Sequence, residues 1–156
     1  MIVIVMGVSG CGKSTIGQLL AERLGCPFLD ADEFHPAGNV TKMAAGMPLT
    51  DEDRWPWLKI LNAKLNGEKH AVLACSALKQ TYREALSEGL DGCRFVHLRG
   101  SIELIRARLE QRRHRYMPAS LLESQFAALE PPGGAIGIDV AQSPAHCVDQ
   151  IAAALG

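Results

Sequence analysis

The stretch IVIVMGVSGCGKST, residues 2–15, decides the fold of this chain. Its first five residues form an unbroken apolar run that ends at Gly7, which is typical of a strand buried on both faces. Residues 7–14 match the pattern GxxxxGK[ST], whose glycines let successive backbone N–H groups turn towards phosphate oxygens. Apolar residues at helical spacing follow as far as Gly25, so the bound anion would also meet the positive end of a helix. The stretch therefore predicts a nucleotide-binding P-loop rather than a merely flexible glycine turn.

We expect the whole loop to hold the phosphates of ATP. The predicted nucleotide-binding residues are Gly7, Val8, Ser9, Gly10, Cys11, Gly12, Lys13, Ser14 and Thr15. In this motif the lysine reaches the β- and γ-phosphates and the hydroxyl after it is a ligand of Mg²⁺. Lys13 is therefore a predicted catalytic residue, and Ser14 is a predicted metal ligand.

Short β-branched runs alternate with helical patterns along the rest of the chain, which predicts a parallel sheet wrapped by helices. We expect an α/β, three-layer P-loop NTPase fold with a five-stranded parallel sheet, in a single domain that spans residues 1–156. The predicted strands cover 2–6, 27–29, 71–75, 94–98 and 135–140. Predicted helices follow the loop up to residue 24 and cover 53–66, 79–88, 102–109 and 144–155. Residues 33–48 are expected to be irregular.

Composition and charge limit the partners and the cellular compartment that we expect for this chain. The chain has 156 residues and a formal net charge of −1, which does not suggest a nucleic-acid or membrane partner. Its five cysteines are scattered, odd in number and without a CxxC pair, which indicates free thiols in a reducing compartment. The apolar N-terminal run is too short to span a membrane. We therefore expect a cytoplasmic protein.

Two carboxylates follow the second predicted strand, as Asp30-Ala31-Asp32. The third strand ends instead in LACS, residues 73–76, without the acid that an ordinary ATPase places there to hold Mg²⁺. No guanine-reading NKxD segment is present either. We expect Asp30 to hold the water shell of the metal and Asp32 to take or orient the proton of an acceptor hydroxyl. The alternative for both acids is a role in a turn or a helix cap.

Several longer blocks resemble the gluconokinases, which are small P-loop enzymes that phosphorylate D-gluconate on its 6-hydroxyl. These blocks are DADEFHP at 30–36, the segment from Asn39 to Leu58, CSALK at 75–79 with Tyr82-Arg83, and QF at 125–126 with LEPP at 129–132. The resemblance implies ATP and Mg²⁺ as cofactors, a substrate-binding helical segment, a lid and a homodimer. It implies D-gluconate as the small-molecule substrate.

Gluconate carries one carboxylate and a chain of hydroxyls, so its site needs cations and hydrogen-bonding groups. Within the resembling blocks the candidate substrate-binding residues are Asp32, His35, Arg54, Lys79 and Arg83. A cation at Arg54 opposes the dipole of the helix that starts beside it, which a ligand would explain. The alternatives are a turn histidine at His35 and solvated surface charges at the three cations.

Arginines concentrate between residues 106 and 115, in the region that forms the lid of P-loop kinases. The resemblance places the lid at about 112–118 and makes Arg112 the arginine that supports charge on the transferred phosphoryl group. Family members commonly read Gly-His-Phe-Met where this chain reads HRYM at 114–117. The difference adds positive charge.

Two other functions stay open at this point. The chain could phosphorylate another small hydroxy acid such as shikimate, because the fold alone does not name a substrate. It could also be a nucleotide-gated regulatory module without an acceptor, although such a module would not need the acidic, histidine-bearing segment after the second strand.

Overall fold

A five-stranded parallel sheet forms the centre of the structure, a computed structural model that describes residues 1–111 and 119–156. The strands are β1 (Ile2–Met6), β2 (Phe28–Asp30), β3 (Ala71–Ala74), β4 (Arg94–Arg99) and β5 (Ile136–Asp139). Their order across the sheet is β2-β3-β1-β4-β5, and every neighbouring pair is parallel. The predicted α/β class and five-stranded parallel sheet are confirmed. The predicted lid, with Arg112, lies outside the described residues.

Helices connect the strands and cover both faces of the sheet. They are α1 (Lys13–Leu24), α2 (Ala37–Ala44), α3 (Asp51–Asn66), α4 (Gln80–Ser87), α5 (Ile102–Glu110), α6 (Ala119–Ala128) and α7 (Pro144–Leu155). A short 3-10 helix, Ala31–Phe34, follows β2. Among the described residues, no helix has the length and apolar character that crossing a membrane requires.

The side chains of β1 divide the core into two halves, because successive residues of a strand point to opposite faces. Val3 and Val5 are buried against α1, α5 and α7 on one face. Ile2, Ile4 and Met6 are buried against α3 and α4 on the other. All five side chains are at most 3% exposed, as the unbroken apolar run predicts. The sheet is thus the middle of three layers.

Helix α3 begins two residues earlier than predicted because Thr50 caps it. The Thr50 hydroxyl accepts a hydrogen bond from the N–H of Asp53, and the Asp53 carboxylate accepts one from the N–H of Thr50. This reciprocal capping box satisfies two backbone donors that the helix itself cannot. Lys42 of α2 also pairs with Asp53 at 2.8 Å, and that contact lowers the pKa of the Asp53 carboxyl to about 2. The cap therefore fastens α2 to the start of α3.

Two helices are absent from the sequence-based prediction. Residues 33–48, expected to be irregular, contain the second half of the 3-10 helix and all of α2. The helix α2 has eight residues and buries only Asn39, so it lacks the apolar stripe from which a helix is recognised. Helix α6 was not assigned from the sequence either. Both elements are held by tertiary contacts more than by their own pattern.

Glycine at position 17 allows close packing between α1 and β2. A Cβ atom at Gly17 would lie 2.6 Å from Cε1 of Phe28, whereas one at Gly38 in α2 would meet nothing within 4 Å. We expect Gly17→Ala to lower the free energy of unfolding by about 1–3 kcal/mol through overpacking. Gly38→Ala, the matched control, should leave it unchanged or raise it by up to about 1 kcal/mol, because alanine favours a helix. Urea unfolding followed by circular dichroism measures both, and equal effects of the two variants would contradict this packing.

Candidate active site

The phosphate loop joins β1 to α1 at the carboxyl edge of the sheet. Gly12 precedes the helix with a φ of 98°, a conformation that glycine adopts without strain. The Nζ atom of Lys13 donates to the carbonyl oxygens of Gly7 and Val8, each at 3.0 Å. These contacts hold the ammonium group over the loop, where nucleotide phosphates would lie. The predicted nucleotide-binding residues 7–15 therefore form this loop and the first turn of α1.

Cys11 lies within this loop but is not a nucleophile. Its side chain is fully buried, and burial raises the pKa of its thiol despite the nearby charge of Lys13. The thiol is therefore neutral at neutral pH and acts as a small apolar group. All five cysteines are free thiols, as the sequence predicts.

Ser14 and Asp30 meet at the same edge from two different elements. The Ser14 hydroxyl donates to Oδ2 of Asp30 at 3.3 Å, while Oδ1 of Asp30 accepts from the N–H of Asp32 at 3.0 Å. A hydroxyl and a carboxylate are the hard oxygen donors that Mg²⁺ prefers, and this ion usually takes only one or two protein ligands beside phosphates and waters. No cluster of three or more metal-binding side chains occurs in residues 1–111 and 119–156. The pair fits Mg²⁺ bound together with a nucleotide.

Asp30 and Asp32 belong to the same site as Lys13. The thiol of Cys75, at the end of β3, lies close enough to all three for their charges to influence its pKa, which burial raises to about 12. The carboxylate of Asp32 is exposed, and no group in the described residues donates to it. It is thus available to a hydroxyl brought beside the phosphate loop. Asp30 ends β2, Asp32 follows it, and Lys13 begins the helix after β1. These groups converge because parallel strands end at the same edge of the sheet.

His35 is held in a defined orientation next to this group. Its ring stacks on Trp57 with centroids 4.2 Å apart and planes 14° from parallel. The Trp57 indole in turn donates to the carbonyl of Ala31 at 2.8 Å. The Nδ2 atom of Asn39 lies 3.2 Å from Nδ1 of His35 and also donates to the carbonyl of Asp53 at 2.9 Å. Since the amide nitrogen can only donate, Nδ1 accepts and the neutral ring carries its proton on Nε2.

Burial lowers the pKa of His35, and the charge of Arg54 lowers it further while Asp32 opposes the change. The ring is therefore neutral at pH 7 and offers one N–H donor, which suits a hydroxyl better than it suits an anion. His35 therefore lies near both Asp32 and Arg54, close enough for each charge to influence its pKa. These three predicted substrate-binding residues are thus brought together.

Asp51, Arg54, Lys79 and Tyr82 form a charged cluster, and Arg54 brings it near His35. The Tyr82 hydroxyl donates to Oδ1 of Asp51, and Nζ of Lys79 lies 3.4 Å from the same oxygen. Arg54 donates to the carbonyl of Leu49 at 2.8 Å and to the Tyr82 hydroxyl at 3.4 Å. Both cations also lie 5.5 Å from the centre of the Tyr82 ring. We call these four residues the cationic cluster, because two positive groups face one carboxylate.

The carboxylate of this cluster stays ionised. Its hydrogen bond from Tyr82 is the main cause that lowers the pKa of Asp51. Burial opposes this change, and Lys79 and Arg54 lower the pKa further. One positive charge is therefore left over at neutral pH. The role of Asp51 and Tyr82 was not predicted, since residues 31 positions apart give no sequence signal that they will touch.

Arg83 differs from its prediction as a substrate-binding cation. It is 3% exposed, and its guanidinium donates to the carbonyls of Ala77 at 2.7 Å and Glu130 at 2.8 Å and to the side chain of Gln80. Ala77 has a φ of 45°, which costs energy for a residue with a side chain. Arg83 therefore braces the turn after β3 and has few donors left for a ligand.

Comparisons with known proteins identify relatives of this chain. The family model for shikimate kinase matches residues 9–126. A gluconokinase of Gluconobacter oxydans is 48% identical over 134 residues, covering 83% of this chain and 75% of that protein. A gluconokinase of Arabidopsis thaliana is 45% identical over 148 residues, covering 83% of this chain and 77% of that protein.

A crystal structure of a gluconokinase from Sinorhizobium meliloti superposes with a TM-score of 0.91 at 44% identity, covering 98% of this chain and 90% of that one. Identity at this level over most of both chains extends beyond a shared fold. The chain therefore belongs to the gluconokinase family of P-loop kinases.

Proposed function

We propose that this protein transfers the γ-phosphoryl group of ATP to the 6-hydroxyl of D-gluconate, which makes it a gluconokinase. The acceptor oxygen forms the new bond to phosphorus, the bond from phosphorus to the β–γ bridging oxygen breaks, and the products are 6-phospho-D-gluconate and ADP. The observation that carries the proposal is the grouping of His35 with the acid next to the phosphate loop and with Arg54 of the cationic cluster. A polyol with a terminal carboxylate matches that set of groups.

On the nucleotide side, the ammonium of Lys13 and those N–H groups of the phosphate loop that do not bond within the protein stabilise the charge of the phosphates. The N–H groups of Gly7, Ser9 and Cys11 bond to Ser76, Gln125 and Val8 instead. Phosphoryl transfer has a loose transition state, so positioning and charge stabilisation supply most of the catalysis. Mg²⁺, when bound, would neutralise charge on the β- and γ-phosphates, and Ser14 and Asp30 are the residues that would hold it. The family resemblance supports Arg112 as a further cation for the transferred group.

On the acceptor side, Asp32 receives the hydrogen bond of the 6-hydroxyl and takes its proton as the bond to phosphorus forms. His35 donates from Nε2 to another hydroxyl. Arg54 and Lys79 bind the carboxylate with the positive charge that Asp51 leaves unpaired. Charge-assisted hydrogen bonds of this kind are about twice as strong as neutral ones, so they would select an acid over a neutral sugar alcohol.

We also propose a cytoplasmic homodimer with no nucleic-acid or membrane partner. The free cysteines and the net charge of −1 support the compartment and the lack of such partners. The resemblance to the family supports the dimer.

A second acceptor is worth testing because the matching family model is that of shikimate kinase. We expect ADP release with Mg-ATP to depend on D-gluconate, and kcat/KM for gluconate to exceed that for shikimate, other sugar acids and nucleoside monophosphates by at least about 100-fold. A coupled ADP assay over this panel measures it. Higher turnover with shikimate would overturn the substrate, and acceptor-independent hydrolysis would favour the regulatory module.

The role of Asp32 is tested by removing its charge. We expect Asp32→Asn to lower kcat by roughly 100-fold or more, within the range of a lost proton acceptor, with little change in KM for ATP. Glu33→Gln, an exposed acid next to it, is the matched control and should retain wild-type kinetics. Asp30→Asn should instead raise the Mg²⁺ concentration needed for half-maximal rate. A near-normal kcat for Asp32→Asn would rule out its proposed role.

Recognition of the carboxylate is tested at Arg54. We expect Arg54→Gln to raise KM for gluconate by about 10- to 100-fold, the cost of a charged hydrogen bond, and to leave KM for ATP unchanged. The preference for gluconate over D-glucitol, which lacks the carboxylate, should shrink by a similar factor. Arg23→Gln is the control, because Arg23 pairs with Asp149 on the surface. An undiminished preference in Arg54→Gln would mean that this arginine does not read the carboxylate.

A further inference from the structure

Gln125 of α6 contacts the phosphate loop through both ends of its carboxamide. Its Oε1 atom accepts from the N–H of Ser9 at 2.8 Å, and its Nε2 atom donates to the Ser9 hydroxyl at 3.0 Å. The two residues are 116 positions apart in the chain, and both are half-buried. A two-point contact fixes the orientation of the serine as well as its distance. None of the roles described above uses Gln125.

The next residue of the loop is held by a different helix. Gly10 has a φ of 83°, and a Cβ atom there would lie 2.8 Å from Cδ2 of Leu109 and 3.3 Å from Cγ2 of Ile105. The loop is thus in direct contact with α5 at Gly10 and with α6 at Ser9. These two helices precede and follow residues 112–118 in the sequence.

The segment that follows α6 is tied to the acceptor side of the site through Glu130. The N–H of Glu130 donates to the carbonyl of Leu78 at 2.8 Å, and its carboxylate accepts from the N–H of Gln80 at 2.7 Å. These bonds bracket Lys79, a member of the cationic cluster. Arg83 adds a hydrogen bond to the carbonyl of Glu130 at 2.8 Å. Helix α6 and the residues directly after it therefore contact both the phosphate loop and the turn that carries Lys79.

We infer that Gln125 is a positioning residue for phosphoryl transfer. By holding Ser9, it orients the phosphate loop and fixes the position of that loop relative to the acceptor side of the site. The inference rests on the proposed function. Satisfying the Ser9 N–H from outside the loop leaves the neighbouring N–H groups free to face the phosphates. An unpaired, half-buried N–H would favour other loop conformations, because an unmade hydrogen bond costs free energy.

The test compares wild type, Gln125→Met, Ser9→Ala and the double variant. Methionine keeps the length of the side chain but makes neither hydrogen bond. Ser124→Ala, on the same helix with its hydroxyl exposed and bonded to the carbonyl of Leu121, is the matched control. Affinity for a non-hydrolysable ATP analogue is measured calorimetrically without acceptor, and kcat and both KM values are measured with gluconate. Thermal unfolding confirms that each variant is folded.

We expect Gln125→Met to weaken nucleotide affinity and kcat/KM for ATP by about tenfold, the loss of one or two neutral hydrogen bonds, with KM for gluconate changed less than threefold. Ser9→Ala should cost about threefold in the wild-type background and nothing in the Gln125→Met background. Normal affinity and kinetics in Gln125→Met, or effects of the two substitutions that simply multiply, would overturn the inference.

A second substitution keeps the test decisive if methionine impairs folding. Gln125→Glu retains an acceptor for the Ser9 N–H but adds a negative charge beside the phosphates. It should therefore weaken nucleotide affinity by more than tenfold. Unchanged affinity would contradict contact between this side chain and the nucleotide-binding loop. Failure of the wild type to phosphorylate gluconate would instead refute the proposed function, since the affinity measurement needs no acceptor.

Discussion

The parallel pairing of β1 with both β3 and β4 is the constraint on which the rest of the structure depends. A strand with neighbours on both sides and helices on both faces cannot shift register without exposing apolar side chains. Its carboxyl end is therefore a rigid support for the phosphate loop. Parallel neighbours end at the same edge, so the acids after β2 and the turn after β3 arrive beside that loop. The catalytic groups are distant in sequence and adjacent because of this sheet.

Around that edge, the site separates two electrostatic tasks. In the proposed site, Lys13 would supply positive charge beside the phosphates, while Asp30 and Asp32 would supply oxygens to a metal and a hydroxyl. The cationic cluster further out has one positive charge in excess, because Asp51 balances only one of its two cations. His35 lies near Asp32 and Arg54 as a neutral donor, held by stacking on Trp57. This combination of acids, a neutral donor and excess positive charge is the physical reason to favour a hydroxy acid as acceptor.

Much of the site could be predicted because its motifs are local. The pattern at 7–14 specifies a backbone shape, and the Asp30-Ala31-Asp32 sequence places two acids at one strand end. The contacts of Asp51 with Tyr82, and of Gln125 with Ser9, could not be predicted, since they join residues 31 and 116 positions apart. At Arg83, a local sequence pattern suggested a role that the tertiary contacts do not favour. A basic residue on a polar helix resembles a ligand-binding cation, yet burial among carbonyl oxygens makes it a brace.

The sequence by itself determined the class of fold, the nucleotide loop and the family. Each of these depends on residues close together in the chain, where spacing dictates local conformation. Tertiary structure decided that α2 is a helix, how much charge the cationic cluster leaves for a substrate, and that α6 with the segment after it contacts both sides of the site. Those properties depend on packing and on the sum of charges brought together from different elements, and no local pattern encodes either.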